Sequence, residues 1–265
     1  MRKNIYVIII STMIIIYICV IHNTHLFSAS EKRIWQTYKI KELPKPAQRA
    51  MNTWIKKNPG WKHELYDDSD IENYILKFWD ERMYKFYKSL PIGVMKADLW
   101  RYLILTTHGG LYSDIDSECK RPIAKWKIPE NIVSSDVLLI GLENKTHFCQ
   151  WTIYSTKEHP AMKYICQYIL QNYEQNGIDK SNPHFVHMIT GPGIWTEAIQ
   201  TLLNMQGKDA EAIFKVYKNN PAPFNSIGIY IIDTPYFNGF FSKNLYGSQF
   251  FGDGYVRWIE QTNSK

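Results

Sequence analysis

The sequence is poor in cysteine and has no dense cluster of basic residues. It holds 4 cysteines in 265 residues, and its formal net charge of +6 is spread along the chain. Nucleic-acid-binding proteins usually carry Lys/Arg runs or basic helix faces, so we expect no nucleic-acid partner. Internal repeats and low-complexity tracts are also absent. The 45% of hydrophobic residues is enough for one globular domain with a sizeable core.

Long apolar runs are absent except at the N-terminus. Residues 5–21 carry no charge and are rich in Ile and Val, with Arg2 and Lys3 before them. The length lies at the lower end of the roughly 17 to 25 residues that span a bilayer. We therefore predict a cytoplasmic tip and uncleaved signal-anchor at 1–21, a stem at 22–32 and a domain at 33–265 on the far side of the membrane. Cleavage at the small residues 28–30 remains an alternative.

The cysteines outside this apolar run leave the redox state open. Cys119, Cys149 and Cys166 allow either one disulfide with one free thiol or three buried thiols. Asn144 begins an Asn-Lys-Thr triplet, which is an N-glycosylation acceptor only in a secretory lumen. Neither feature decides the compartment.

Strand-like and helix-like segments alternate from residue 33 onward. Residues 33–38 are β-prone, 46–57 have helical spacing, 61–66 alternate like a strand, and 71–78 follow the capping residues of "DDSD". Strands that alternate with helices predict an α/β protein with a parallel or mixed sheet.

A helix with two charged residues on one face precedes a Gly-Gly break. The helix is predicted to start at Ser89-Leu90-Pro91 and to end at His108-Gly109-Gly110. Asp98 and Arg101 stand three residues apart, so their side chains share a face. Taken alone, the pair is typical of a surface ion pair worth at most ~1 kcal/mol.

Two aspartates follow the glycines at a spacing of two. A strand over Leu111–Asp116 would place Tyr112, Asp114 and Asp116 on one face. Like charges that point the same way repel unless a cation lies between them, and a hard divalent ion prefers oxygen ligands. In open α/β sheets, ligands bind beyond the carboxyl ends of strands. Asp114 and Asp116 are therefore the predicted ligands of Mn²⁺ or Mg²⁺.

Other interpretations of these motifs are weaker. An EF-hand loop starting at Asp114 needs glycine at its sixth position, which is Cys119. An aspartyl nucleophile of the phosphatase type usually follows a longer, fully apolar strand than "GGLYS". His184 and His187 have helical spacing but lack a third metal ligand. "TGPG" at 190–193 is compatible with a phosphate-binding turn or a purely structural one.

The block "MKADLWRYLILTTHGGLYSDIDSECKRPI" resembles the DXD-containing region of glycosyltransferases related to the yeast initiation-specific α-1,6-mannosyltransferase. These include the inositol-phosphoceramide mannosyltransferases and, more distantly, the clostridial glucosylating toxins. The blocks "RIWQTYKIKELP", "WKHELYDDSDIENYI", "EHPAM" and "TGPGIWTEAI" are also similar to the family. The resemblance implies a GT-A fold with a mixed, mostly parallel sheet, a nucleotide-sugar donor and a divalent metal.

The resemblance also implies roles for individual residues. Asp114 and Asp116 match the metal-binding aspartates, Asp98 and Arg101 match the pair that contacts the donor sugar and diphosphate, and Tyr112 matches an aromatic beside the donor. Trp35 stands where the family often has His, and we expect its indole to pack on the nucleotide base. The C-terminal "YGSQFFGDGYVRW" has Trp258 without the family's preceding His, which leaves a third metal ligand unassigned.

These features together predict a metal-dependent glycosyltransferase. It is expected to transfer a hexose to a glycan or glycolipid acceptor with retention of configuration. Mannose from GDP-mannose is the preferred candidate. The anchor and the resemblance indicate a single-pass type II protein of the Golgi or another secretory membrane. The alternatives are a catalytically silent carbohydrate-binding protein of the same fold and a nucleotide-sugar hydrolase.

Overall fold

The computed structural model describes residues 32–126, 135–232 and, for the backbone alone, 242–244. The predicted tip and anchor, residues 1–21, and Trp258 lie outside these residues. Within the described ranges, no helix is both long enough and apolar enough to cross a membrane.

The described residues form an α/β fold whose elements largely alternate along the chain. The strands are β1 (Arg33–Thr37), β2 (Lys62–Tyr66), β3 (Gly110–Ser113), β4 (Ser117–Cys119), β5 (Leu138–Gly141), β6 (Thr152–Ser155), β7 (Ile229–Ile232) and β8 (Ser242–Asn244). The helices are α1 (Lys45–Lys57), α2 (Asp68–Phe78), α3 (Glu81–Ser89), α4 (Gly93–His108), α5 (Pro160–Asn176), α6 (Phe185–Ile189), α7 (Pro192–Leu202), α8 (Ala210–Asn219) and α9 (Ala222–Asn225), with a 3₁₀ turn at Ile123–Lys125.

The main sheet of the described residues has six strands in the order β2-β1-β3-β6-β5-β7. β1 pairs in parallel with β2 and β3, and β5 pairs in parallel with β7. β6 pairs antiparallel with both β3 and β5, so it alone reverses direction within this sheet. The prediction of a mixed, mostly parallel sheet is therefore confirmed. The carboxyl ends of β1, β2, β3, β5 and β7 share one edge.

Each face of the sheet has its own hydrophobic core, because alternate strand residues point to opposite sides. Trp35, Tyr112 and Ile153 lie on the face that packs against helices α2 to α8. Ile34 and Leu111 lie on the other face and pack near Trp54 of α1. The result is a layered arrangement in which α4 lies directly against the central strands.

Local sequence signals explain where the helices around the sheet begin and end. The side chain of Asp67 accepts bonds from the backbone N–H groups of Ser69 and Asp70, and Asp70 completes a capping box. α4 ends at Gly109, which has a φ of 65°. A side chain there would be strained, and its Cβ would lie 2.5 Å from the backbone nitrogen of Lys157. Glycine is therefore required where the chain turns from α4 into β3.

The helix predicted over 71–78 begins three residues earlier, at Asp68, and two boundaries next to the site are wrong. The helix that carries Asp98 begins at Gly93 rather than at Ser89-Leu90-Pro91, because α3 continues to Ser89 and the intervening residues form the connection. The strand predicted over Leu111–Asp116 ends at Ser113, and the chain turns at residues 114–116 before β4. The alternation of exposure nevertheless continues, since Asp114 and Asp116 are partly exposed on either side of buried Ile115.

The three cysteines of the described residues are free and buried. Of the two alternatives from the sequence, three buried thiols is the one the fold contains.

Candidate active site at the carboxyl edge of the sheet

Side chains from α4, β3 and the turn after β3 meet at the carboxyl edge of the sheet. α4 contributes Asp98 and Arg101, β3 contributes Tyr112, and the turn contributes Asp114 and Asp116. α4 runs back along the sheet before Gly109 reverses the chain into β3, so residues thirteen apart in sequence come into contact. The structure thus brings these five predicted residues to one end of the fold.

The guanidinium of Arg101 lies between two carboxylates. Its Nη1 is 2.6 Å from Oδ1 of Asp98, and its Nη2 donates a 2.8 Å hydrogen bond to Oδ1 of Asp114. The side chains of Asp98 and Arg101 are each only 3% exposed, which excludes a surface ion pair. Breaking a buried pair by removing one partner is strongly destabilising, because it leaves an uncompensated charge.

Arg101 has donors that its neighbours do not satisfy. The Nη1 contact with Asp98 is an ion pair without a directed hydrogen bond, and neither Nε nor Nη1 has a hydrogen-bond acceptor among the described residues. The guanidinium also lies over the ring of Tyr112, with its Cζ 5.0 Å from the ring centroid. A buried cation with unsatisfied donors is suited to an anionic ligand.

Asp98 is held by two further side chains that the sequence did not indicate. Gln150 Nε2 donates to Oδ1 at 3.4 Å, and Thr190 Oγ1 donates to Oδ2 at 3.3 Å. Burial raises the pKa of Asp98 to about 7, whereas the positive charge of Arg101 lowers it. Asp98 therefore links α4 to the segment just before β6 and to the turn before α7.

Asp116 and Glu143 complete an acidic rim around Arg101. Burial, followed by the negative charge of Asp114, raises the pKa of Asp116 to about 7. The same two causes raise the pKa of Glu143 to about 7. Among the described residues, Arg101 is the cation that acts on both carboxyls. Four carboxyl groups around one guanidinium leave an excess of negative charge, which favours a bound cation.

The oxygen atoms of the turn suit a divalent metal. Oδ1 of Asp114 is engaged by Arg101 and by the hydroxyl of Tyr112 at 2.7 Å, whereas its Oδ2 has no hydrogen bond to another described residue. Asp116 is partly exposed beside it. No group of three or more His, Cys, Asp or Glu side chains in the described part of the chain is arranged to hold a metal. Two carboxylates with open positions match the way Mg²⁺ keeps water and phosphate oxygens in its coordination.

Trp35 lies apart from this rim. It is 1% exposed, its Nε1 donates a 2.7 Å bond to the carbonyl of Gly109, and its ring packs edge-on against His108. Stacking on a nucleotide base needs an open ring face, and the described structure places this indole in the core. Its contact with the donor stays a prediction.

Gln36, Gln150 and Glu143 are neighbours of the site that the sequence did not indicate, and Thr190 was indicated only as part of the "TGPG" turn. Gln36 Nε2 donates a 3.1 Å bond to the carbonyl of Asp114. Glu143 follows β5, whose carboxyl end lies at the same edge of the sheet. The rule that ligands bind at the carboxyl ends of strands could have identified Glu143, whereas nothing local marked the two glutamines.

The "TGPG" turn contributes through Thr190 and through close packing. A Cβ on Gly191 would lie 2.8 Å from the Cα of His187, and a Cβ on Gly193 would lie 2.8 Å from the carbonyl oxygen of His187. The two glycines thus let α7 approach α6, which supports the structural interpretation of this turn. The rings of His184 and His187 are 6.4 Å apart, without a third ligand that would make a metal site in the described residues.

Comparisons with known proteins find sequence similarity in the region of this site. Residues 44–133, which include the Asp98–Asp116 segment, match the family model described as the glycosyltransferase sugar-binding region containing a DXD motif. The chain is 29% identical to the putative glycosyltransferase HOC1 of Saccharomyces cerevisiae, over 72% of this chain and 54% of that protein. It is 32% identical to the initiation-specific alpha-1,6-mannosyltransferase of Schizosaccharomyces pombe, over 66% of this chain and 49% of that protein.

The fold is also similar to a solved structure. The PaToxG glycosyltransferase superposes with a TM-score of 0.52 at 18% identity, covering 80% of this chain and 88% of the other. At this identity the likeness shows the fold alone, an α/β glycosyltransferase fold with a mixed sheet. The chain spans about half the length of the two yeast relatives. The chain is therefore similar to the sugar-binding region of the DXD-containing glycosyltransferases over residues 44–133, and to the yeast initiation-specific alpha-1,6-mannosyltransferases over about half of their length.

Proposed function

We propose that this protein is a metal-dependent glycosyltransferase of the GT-A type that transfers mannose from GDP-mannose to a glycan or glycolipid acceptor. The observation that carries the proposal is the buried Asp98–Arg101 pair, which is bonded to the partly exposed Asp114 near Asp116, at the carboxyl edge of the sheet. The names of the yeast relatives support mannose as the sugar.

The metal-binding role falls to Asp114 and Asp116, whose open carboxylate oxygens are hard ligands suited to Mn²⁺ or Mg²⁺. Such an ion, when bound, supplies Lewis-acid stabilisation of the charge on the departing nucleoside diphosphate. Arg101 lies directly behind Asp114, so its positive charge acts on the same diphosphate. Its guanidinium is the cationic group that we assign to the phosphate or sugar oxygens.

Asp98 and Tyr112 hold these groups in position. Asp98 fixes the guanidinium of Arg101 from the helix side, and we assign its remaining lone pairs to hydroxyl groups of the donor sugar. Tyr112 donates to Asp114 and packs under Arg101, so it fixes both ends of that ion pair. Rigid donors and acceptors that need no rearrangement during the reaction supply much of the rate enhancement of enzymes.

Retention of configuration is part of the proposal. The relatives are named for α-linked products, and an α-linked sugar nucleotide gives an α-linked product when the configuration is retained. We further propose that residues 5–21 anchor the chain in a secretory membrane, with the sugar-binding region on the lumenal side. Alkaline extraction and protease protection of vesicles test the anchor, and release of the full chain into the alkaline supernatant would contradict it.

The first test measures nucleotide release by the full-length chain in detergent. A panel of GDP- and UDP-sugars is offered with Mn²⁺ or with EDTA, together with free sugars and glycolipids as acceptors. We expect release from GDP-mannose that requires both metal and acceptor, and NMR of the product should show the α-anomer. Release that does not depend on acceptor would instead identify a nucleotide-sugar hydrolase.

Two variants make the same chemical change at different places. Asp116→Asn removes a proposed metal ligand, whereas Asp179→Asn removes an exposed carboxylate that only caps the turn at Ser181. We expect activity to be lost in the first variant and retained in the second. Absence of release from every donor by the wild-type protein, without donor-induced thermal stabilisation, would favour the catalytically silent alternative.

A further inference from the structure

Strand β1 binds both ends of β3 through two consecutive side chains. Trp35 Nε1 donates a 2.7 Å bond to the carbonyl of Gly109, which precedes β3. Gln36 Nε2 donates a 3.1 Å bond to the carbonyl of Asp114, which follows β3. The two side chains point to opposite faces of the sheet, since neighbouring strand residues alternate. β1 therefore fixes where the turn with the two aspartates begins.

The backbone carbonyl oxygen of Asp114 accepts more hydrogen bonds than it has lone pairs. Its carbonyl oxygen accepts bonds from the backbone N–H of Ser117 at 3.0 Å and from the Ser117 hydroxyl at 2.6 Å, in addition to Gln36. Its own N–H donates to the carbonyl of Trp151 at 2.9 Å. A carbonyl oxygen has two lone pairs, and Ser117 alone provides two donors. The amide of Gln36 is thus not required to satisfy this atom, and its effect is on the position of the turn.

The orientation of the Gln36 amide follows from its partners. A carbonyl oxygen only accepts, so the NH₂ group faces Asp114 and Oε1 faces the ring of His63 at 2.8 Å. Since Oε1 only accepts as well, His63 must carry its proton on Nε2 and donate it. Burial lowers the pKa of His63 to about 4, so the ring is neutral near pH 7. The chain of donors runs from His63 through Gln36 to the first aspartate of the turn.

We propose that Gln36, oriented by His63, is a positioning residue that sets the separation of the Asp114 and Asp116 carboxylates for one divalent cation. Gln36 is fully buried and reaches the site only through the backbone of Asp114. The inference rests on the proposed metal site. Partners one step removed from metal ligands typically change metal affinity about 10- to 100-fold when they are replaced.

The test measures Mn²⁺ affinity of the full-length protein without any donor sugar, from the EPR signal of free Mn²⁺. Gln36→Met keeps the side-chain length and removes both the N–H donors and the acceptor. We expect its Kd for Mn²⁺ to rise about tenfold or more. In the nucleotide-release assay, the KM for Mn²⁺ should rise by a similar factor, while kcat at saturating Mn²⁺ should stay close to wild type.

Thr37→Val is the matched control from the same strand. Thr37 Oγ1 donates a 2.8 Å bond to the carbonyl of Tyr66 in β2, so the variant loses one side-chain bond to backbone without touching the turn. We expect a comparable loss of thermal stability and an unchanged Kd for Mn²⁺. Equal Mn²⁺ affinity in Gln36→Met, Thr37→Val and wild type, beside a loss in Asp116→Asn, would overturn the positioning role and leave the metal site standing.

Two variants of His63 decide the question if Gln36→Met does not fold. His63→Gln keeps an N–H donor for Oε1 of Gln36, whereas His63→Phe keeps bulk without the donor. We expect the Kd for Mn²⁺ to rise in His63→Phe and to be restored in His63→Gln. An unchanged Kd in His63→Phe contradicts the proposal. A wild-type protein that binds no Mn²⁺ would overturn the metal site itself, and this inference with it.

Discussion

Nη2 of Arg101 lies 2.8 Å from Oδ1 of Asp114, and this bond joins helix α4 to the turn after β3. The Arg101 side chain is 3% exposed and that of Asp114 is 27% exposed, so the pair extends from the core to the edge of the site. A single charge can therefore affect both the stability of the fold and the affinity for the proposed anionic donor.

Replacing Arg101 should destabilise the protein severely. Arg101→Met leaves Asp98 and Asp114 without their shared cation, and we expect the free energy of unfolding to fall by about 3 to 5 kcal/mol. Arg82→Met is the control, because Arg82 forms an exposed ion pair with Glu174 at 2.6 Å that should contribute at most about 1 kcal/mol. Urea unfolding at pH 7 measures the free energy of unfolding of both variants. Equal decreases in Arg101→Met and Arg82→Met would contradict a special role for the buried pair.

The hydroxyl of Tyr112 should matter more than an ordinary buried hydroxyl. Tyr112→Phe removes a 2.7 Å bond to the carboxylate of Asp114, and a bond to a charged group contributes about 1.5 to 3 kcal/mol. Tyr74→Phe removes a bond to the neutral carbonyl of Leu103, which contributes about 1 kcal/mol. We expect nucleotide release to fall about tenfold in Tyr112→Phe alone. If Tyr74→Phe reduces it equally, the effect is one of general stability.

Two glycines with the same φ separate backbone strain from crowding. Gly109 and Gly177 both have a φ of 65°, but a Cβ at Gly109 would lie 2.5 Å from the backbone of Lys157, whereas nothing lies within 4 Å at Gly177. Gly177→Ala should lower the free energy of unfolding through backbone strain alone, by about 1 to 3 kcal/mol. Gly109→Ala should cost a further 1 to 3 kcal/mol or so from overpacking. Thermal denaturation of the two variants compares them directly.

His159 should make the protein sensitive to mild acid. Its Nδ1 accepts the backbone N–H of Ala161 and its Nε2 faces the carbonyl of Gly228, an arrangement that only the neutral ring satisfies. Burial lowers the pKa of His159 to about 4, below the roughly 6.5 of an unfolded chain. Between these two pH values the unfolded state binds more protons than the folded state. The stability contributed by the neutral His159 ring is therefore fully present above pH 6.5 and is lost as the pH falls toward 4.

His159→Asn tests this dependence, since asparagine retains an acceptor for the helix N-terminus. The wild-type free energy of unfolding should fall between pH 7 and pH 4.5 by about 2 kcal/mol more than that of the variant. The exposed His184 provides the control, and His184→Asn should keep the wild-type profile. Identical pH profiles for wild type and His159→Asn would show that this histidine is not responsible.

The elements near the site followed closely from local sequence. The predicted strands at 33–38 and 61–66 and the helix at 46–57 each lie within two residues of the observed bounds. Alternation, capping residues and glycine breaks act over a few residues, so a linear pattern contains them. The end of β3 was misplaced because apolar and polar residues go on alternating through the turn at 114–116.

The sequence by itself determined the charged residues of the candidate site: an acid pair after a Gly-Gly break, an Asp and an Arg one helical turn apart, and a resemblance that the comparisons confirm. Only the tertiary structure decided that Asp98 and Arg101 are buried rather than solvated, that Gln150, Thr190 and Glu143 lie near them, and that Gln36 contacts the backbone of Asp114. The physical reason is that burial and side-chain contacts depend on which strands become neighbours. That order, β2-β1-β3-β6-β5-β7, brings together residues far apart in the chain.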